Sequence, residues 1–229
     1  MTVVLWDVDG TLVKAGAAGR LAFADAVADV LGLEVPPEQL PRMAGKTDPQ
    51  IALELLDQLG VPDPRRHLGA LEAALARALT ARVHQIRTEG VVLPGVREAL
   101  AALATAGAAQ TVVTGNVAPN ARTELAAVGL DGGPLRLEIG AYGSDDGDRD
   151  NLVPIALERC RAAGLSVAPA ATWVIGDTPR DLACARAAGV RCLLVATGGY
   201  EREVLDAAGA DAVFADLLDT ERVCELLTD

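Results

Sequence analysis

Two aspartates stand two residues apart at the end of a short apolar run, in Val3-Val4-Leu5-Trp6-Asp7-Val8-Asp9-Gly10-Thr11. Paired carboxylates at the end of a buried strand repel each other and lose hydration unless a cation or a shared proton offsets them. Gly10 permits a sharp turn directly after the pair. A second apolar run ends the same way, in Val174-Ile175-Gly176-Asp177-Thr178-Pro179-Arg180-Asp181. Asp181 follows Asp177 by one helical turn, so both could face one pocket, although carboxylates at a helix start also serve as caps. A third run, Val112-Val113-Thr114-Gly115-Asn116, ends in a hydroxyl where an anion could bind. Such residues suit acid–base, nucleophilic or metal-assisted chemistry on an anion.

Something must bring these residues together. Apolar runs at Val3–Val8, Gln110–Thr114, Leu135–Gly140, Thr172–Gly176, Arg191–Ala196 and Ala212–Ala215 are short and rich in Val, Ile and Leu. They read as parallel strands buried on both faces. Amphipathic stretches alternate with them, which predicts a doubly wound, Rossmann-like α/β sheet. In such a sheet, strand C-termini converge on the ligand crevice. Asp7, Asp9, Thr114 and Asp177 all lie at such ends.

Residues 15–89 break the alternation. They are rich in Ala, Leu, Glu and Arg, and predict helices near 17–31, 48–59 and 66–87. Asp48-Pro49 opens the best punctuated of these and Gly60 closes it. The expectation is a core of residues 1–14 and 90–229, interrupted by a helical cap at 15–89. The linkers would lie near Lys14–Ala18 and Gly90–Pro94.

Composition bounds the function. The 229 residues include 32 acidic and 20 basic ones, a formal charge of −12. That balance argues against a nucleic-acid backbone or an anionic membrane as partner. A small anion is still possible if a metal ion supplies a local positive centre. Only Lys14 and Lys46 are lysines, and only His67 and His84 are histidines. Cys160, Cys184, Cys192 and Cys224 form no CxxC pair, which disfavours a zinc site or a disulfide framework. The N-terminal apolar run stops at Asp7, and no later uncharged run approaches the length of a membrane span. A reduced, soluble, cytoplasmic protein is expected.

The motifs, in order and spacing, resemble the haloacid dehalogenase-like hydrolases with a small helical cap, similar to phosphoglycolate phosphatases and β-phosphoglucomutases. Asp7-Val8-Asp9-Gly10-Thr11, Thr114-Gly115-Asn116 and Gly176-Asp177-Thr178-Pro179-Arg180-Asp181 carry the resemblance. Ala196-Thr197-Gly198-Gly199 and Gly209-Ala210-Asp211 extend it. It implies a Mg²⁺-dependent phosphatase acting on a small phosphorylated metabolite. Asp7 would be the nucleophile and Asp9 the general acid and base. Asp7, the Asp9 carbonyl and Asp177 would hold the metal, with Asp181 in support. Thr114, Gly10, Gly115 and Asn116 would meet the phosphoryl group.

Two features qualify the resemblance. The family's third motif is usually a lysine before the Gly-Asp motif, and no lysine lies there. Arg149, in Gly147-Asp148-Arg149-Asp150-Asn151, is the expected stand-in, with Arg159 and Arg161 weaker because they fall within a helix. Lys46, in a cap turn, is a candidate contact to the leaving group, with Thr47 and Asp48 expected as helix caps. Arg20 and Arg42 are expected on a solvated face. A phosphomutase would use the same core residues. Asp9 counts against a dehalogenase and against a phosphonate hydrolase with Lys46 as its Schiff base. A non-catalytic module would have lost one of these aspartates.

Overall fold

A computed structural model describes residues 1–228. Strand β1 (Val3–Trp6) is followed by β2 (Val13–Lys14), and then by four helices in succession. These are α1 (Ala18–Leu31), α2 (Asp48–Gln58), α3 (Leu68–Ala81) and α4 (Val83–Glu89). The chain returns through β3 (Val91–Val92), α5 (Val96–Thr105), β4 (Ala109–Thr114), α6 (Ala118–Ala127) and β5 (Ala141–Tyr142). It ends with α7 (Leu152–Ala162), β6 (Thr172–Gly176), α8 (Pro179–Ala187), β7 (Arg191–Val195), α9 (Arg202–Ala208), β8 (Ala212–Phe214) and α10 (Thr220–Thr228).

Six strands form a parallel sheet in the order β5-β4-β1-β6-β7-β8. Its centre is β1, flanked by β4 and β6 with Leu5 opposite both Thr111 and Val174. Successive side chains of β1 point to opposite faces. Val4 and Trp6 pack with the apolar sides of α5, α6 and α10, whereas Val3 and Leu5 pack with α7, α8 and α9. Burial on both faces explains why the strands read as unbroken apolar runs. The Rossmann-like α/β architecture with a helical layer is as expected.

The helical layer has its own core, in which Phe23, Leu55, Leu56, Leu75, Leu79 and Ile86 are buried. Its two connections to the sheet run side by side as an antiparallel ribbon, with Val13 opposite Val92. Among the described residues no helix is long and apolar enough to cross a membrane.

Two elements differ from expectation. Leu135–Gly140 is not a strand: Leu135 makes one bridge to Gln110, Leu137–Ile139 forms a 3-10 turn, and β5 begins at Ala141. The run is apolar because Leu135, Leu137 and Ile139 are buried, not because they join the ladder. Tyr142 Oη donates to the Leu137 carbonyl at 2.5 Å and holds the turn. Gly140 fits only as glycine, since a Cβ would lie 2.8 Å from a Val112 methyl. The long helix near 66–87 is broken. A 3-10 turn at Pro64–His67 leads into α3, and Arg82 leaves helical geometry at φ −97°, ψ 8° before α4.

Candidate active site

The C-terminal ends of β1, β4 and β6 open into a cavity of about 440 Å³ that extends beneath the helical layer. Asp7, Asp9, Gly10, Thr114, Gly115, Asn116, Arg149 and Asp177 line it, and Lys46 lines it from the helical side. Adjacent parallel strands place Asp7, Thr114 and Asp177 at one edge because each residue ends or follows its strand at matching register.

Arg149 is the cation at the floor. It lies in a 3-10 turn before α7 and is only 5% exposed. One guanidinium nitrogen, Nη2, donates to Asp7 Oδ1 at 2.8 Å and to Asp181 Oδ1 at 2.5 Å. Burial works against its charge, but Asp181 and Asp7 more than offset that and hold it firmly protonated. Arg149 Nε is buried without a partner among the described residues. Arg159 is committed elsewhere, to Asp145 and the Gly140 carbonyl.

Asp181 does not line the cavity. It is fully buried, and its Oδ2 accepts from the Thr178 backbone N–H at 2.9 Å and the Thr178 hydroxyl at 2.7 Å, as the cap of α8. Helix capping occupies its Oδ2, its Oδ1 accepts from Arg149, and one of its oxygens lies within 4.8 Å of carboxylate oxygens of Asp7 and Asp177.

The carboxylates are crowded. Burial raises Asp7 well above the usual carboxylate range, with Asp181 and Asp177 adding to the effect against Arg149. Burial, then Asp181 and Asp9, pushes Asp177 up to about 7. Asp9 is open to the cavity but hemmed in by protein, and that surrounding raises it too, although Asn116 Nδ2 donates to its Oδ2 at 2.8 Å. Four carboxylates face one guanidinium here, which leaves an excess of negative charge.

That excess tests the fit of a divalent cation. One oxygen each from Asp7, Asp177 and Asp181 lies within 4.8 Å of the others. Asp181 is taken up by Thr178 and Arg149, so Asp7 and Asp177 are the available pair. Glycines shape the space around Asp177. A Cβ on Gly10, at φ +83°, would come 2.6 Å from Asp177 Oδ2, and one on Gly198 would come 1.6 Å from it. Thr197 Oγ1 donates to the Gly10 carbonyl at 2.6 Å and ties the two loops together. An all-oxygen, negatively charged donor set suits a hard ion such as Mg²⁺.

The helical layer is docked onto this edge. Thr47 caps α2 by accepting from the Gln50 N–H, and its own hydroxyl donates to the Gly147 carbonyl at 2.7 Å. The Asp48 N–H donates to the Gly115 carbonyl at 2.8 Å, and Asp48 Oδ2 accepts from the Val117 N–H at 2.8 Å. Asp48 thus caps the start of α6 across the cleft, beyond the local cap role expected of it. Gly115 is needed for this approach, because a Cβ there would sit 2.1 Å from the Lys46 carbonyl oxygen. Lys46 pairs with Glu54. Arg20 is not on a solvated face: it donates to the Pro37 and Leu40 carbonyls and lines the cavity. Arg42 stacks over Tyr200 with 4.7 Å to the ring centroid.

Burial raises Asp48 to about 7. A carboxyl that titrates higher folded than unfolded binds its proton more tightly in the native state, so its contribution is lost as pH rises towards 7. Asp48→Asn, which can still accept from Val117, should therefore stabilise the protein at pH 8 and flatten the dependence of Tm on pH between 5 and 8. Unchanged Tm values at pH 8 would contradict this.

Asn120 and Glu124 also line the cavity and were not anticipated from the sequence. Both are buried polar residues on the face of α6 that carries Ala121 and Leu125. Their signal is polar residues spaced i, i+4 within a packed helix face.

The chain matches the family model described as haloacid dehalogenase-like hydrolase over residues 4–186. No curated protein matches it. Among solved structures, it is similar to a hydrolase from Pseudomonas syringae (TM-score 0.73, 22% identity, 100% of both chains covered). It is also similar to CbbY from Rhodobacter sphaeroides, solved with phosphate (TM-score 0.73, 22% identity, 96% of both chains). A predicted phosphoglycolate phosphatase from Haemophilus somnus 129pt has a TM-score of 0.70 at 20% identity over 97% of both chains. At these identities the structures share the fold. Fold, motif order and the matched family model agree, and the chain belongs to the haloacid dehalogenase-like hydrolases.

Proposed function

We propose that this hydrolase is a Mg²⁺-dependent phosphatase that cleaves a small phosphomonoester through a phosphoryl group carried on Asp7. The observation that carries the proposal is the Arg149 contact to Asp7 at the floor of a closed-over cavity, with Asp9 beside it. Residues 15–89 act as a cap over the core formed by 1–14 and 90–229.

Asp7 and Asp177, with the Asp9 carbonyl, would hold Mg²⁺. The ion supplies positive charge that neutralises the carboxylates and offsets the phosphoryl oxygens. Arg149 fixes one Asp7 oxygen, which leaves the other to attack phosphorus. As the P–O bond to the alcohol breaks, Asp9 donates a proton to the departing oxygen. Asp9 then takes a proton from water, whose oxygen attacks phosphorus and frees Asp7 and inorganic phosphate. Its raised pKa suits a group that must both give and take a proton, and the Asn116 amide fixes its orientation. Thr114 and the backbone of Gly115 and Asn116 border the place of the phosphoryl group. Lys46, which lines the cavity from the cap beside Glu54, is the cap contact assigned to the leaving group. The docked cap excludes water during the transfer.

The test is Mg²⁺-supported phosphate release from p-nitrophenyl phosphate and a screen of phosphomonoesters, with product analysis. Inorganic phosphate as product supports a phosphatase. An isomerised sugar phosphate would point to the phosphomutase reading. Arg149→Ala should lower turnover by ~10²-fold, the loss of one electrostatic transition-state contact. It should also lower stability by roughly 3–5 kcal/mol, because Asp7 and Asp181 are left buried without their partner. Arg149→Lys should fall between the two. A wild-type rate for Arg149→Ala would assign the cationic role to another residue.

A further inference from the structure

Asp9 must give and take a proton, and its carboxyl has one hydrogen-bond partner among the described residues, the Asn116 amide. Asn116 Nδ2 donates to Asp9 Oδ2 at 2.8 Å and to Glu124 Oε2 at 2.9 Å. An amide nitrogen carries two hydrogens, so these two bonds use both. Two carboxyl oxygens on one nitrogen also decide which end of the amide faces Asp9. Without Glu124, one N–H loses its acceptor and the amide is free to turn its oxygen towards Asp9 instead.

Glu124 is a fixed point for that amide. It lies on α6, 4% exposed, on the helix face that carries the wholly buried Ala121 and Leu125. Asp48 holds the start of the same helix through the Val117 N–H. Asn116, by contrast, stands in the turn between β4 and α6. A side chain on a turn is held most precisely by a partner on a packed element. An ion pair does not account for a glutamate at this place. Burial, then Asp9, Asp48 and Asp7, raises it well above the usual carboxylate range, and no cation is among the groups that act on it. It is therefore an uncharged acid at neutral pH, which accepts from Asn116 without adding a negative charge near Asp9.

We propose that Glu124 is a positioning residue for proton transfer, holding the Asn116 amide against Asp9 and so fixing the carboxyl that protonates the departing alcohol. This rests on the phosphatase reading and adds a residue to its machinery. As the P–O bond breaks, its electron pair stays on the alcohol oxygen, which takes the proton from Asp9. A basic alkoxide needs that proton, whereas p-nitrophenolate leaves without it. Loss of Glu124 therefore falls hardest on esters of basic alcohols.

The experiment compares kcat/KM with Mg²⁺ for p-nitrophenyl, phenyl and benzyl phosphate, three esters of similar shape whose leaving oxygens rise in basicity in that order. Glu124→Leu, with its fold checked by thermal melting, removes the acceptor and keeps the volume. It should lower benzyl phosphate turnover by about tenfold or more beyond its effect on p-nitrophenyl phosphate, a part of the ~10²–10⁴ that a positioned acid is worth. Glu124→Ala gives the same comparison should the leucine variant not fold. Glu124→Gln keeps an oxygen for Asn116 and should retain the wild-type ratio between the esters. Because Glu124 acts through Asn116, adding Glu124→Leu to Asn116→Ala should not change that ratio further. Equal losses on all three esters, a glutamine variant as impaired as the leucine one, or additive effects in the double variant would overturn the inference while leaving a phosphatase. Failure of the wild type to cleave any of the three would overturn the phosphatase reading and this inference with it.

Discussion

Asp7→Asn is expected to lower phosphate release from p-nitrophenyl phosphate by roughly four orders of magnitude or more, on the scale seen when a catalytic nucleophile is removed. The amide keeps the shape of the carboxylate and can still accept the Arg149 hydrogen bond through its oxygen, so geometry survives. What disappears is the anionic oxygen that attacks phosphorus. The fold should persist as well. Asp7 is one of several buried acids held above their usual range, and neutralising it relieves repulsion with Asp181 and Asp177. Arg149 retains Asp181 as its charged partner. Thermal melting should therefore show a folded variant with no turnover. Full residual activity would assign the phosphoryl transfer to another group.

Chelation is the second large effect. EDTA should reduce turnover to background, and added Mg²⁺ should restore it. The reason lies in the charge imbalance, since a phosphate dianion cannot approach four carboxylates and one guanidinium without a further cation. The same imbalance predicts a stability effect that does not depend on substrate. A ligand that binds only the folded state stabilises it by about 2.7 kcal/mol at a hundredfold excess over its Kd. Mg²⁺ should accordingly raise Tm in the absence of substrate, and Asp177→Asn should weaken that rise. Metal-independent turnover, or a Tm indifferent to Mg²⁺, would remove Asp7 and Asp177 as a metal-binding pair.

The sheet was legible because its strands are buried on both faces, so that apolar runs ending in Asp or Thr marked the C-terminal edge directly. Asp7, Asp9, Thr114 and Asp177 lie together for that reason. The resemblance implied a cation before the Gly-Asp motif, and because both lysines precede residue 47 it pointed to Arg149, which lies against Asp7. Other features were hidden in specific ways. Leu135, Leu137 and Ile139 alternate like a strand, but their backbone turns under the hydrogen bond from Tyr142. Nothing at Arg82 marks a helix break, because neither Gly nor Pro stands there. Asp181 has the spacing of a pocket residue, yet one of its oxygens completes the capping box of α8 and the other accepts from Arg149. Asp48 has the local signature of a helix cap, and its longer-range bond to Val117 depends on how the cap docks. Asn120 and Glu124 are separated by more than 100 residues from Asp9, and their shared cavity arises only when α6 packs beside β1 and beneath the cap.

Acid quenching during turnover decides whether Asp7 carries the phosphoryl group. The protein is mixed with ³²P-labelled substrate and Mg²⁺, denatured in acid within milliseconds and digested for peptide mapping. The expected result is a hydroxylamine-labile label on the peptide that contains Asp7, present in the wild type and absent from Asp7→Asn. A label on any other residue, or steady phosphate release with no labelled protein at any time, would contradict phosphoryl transfer through Asp7.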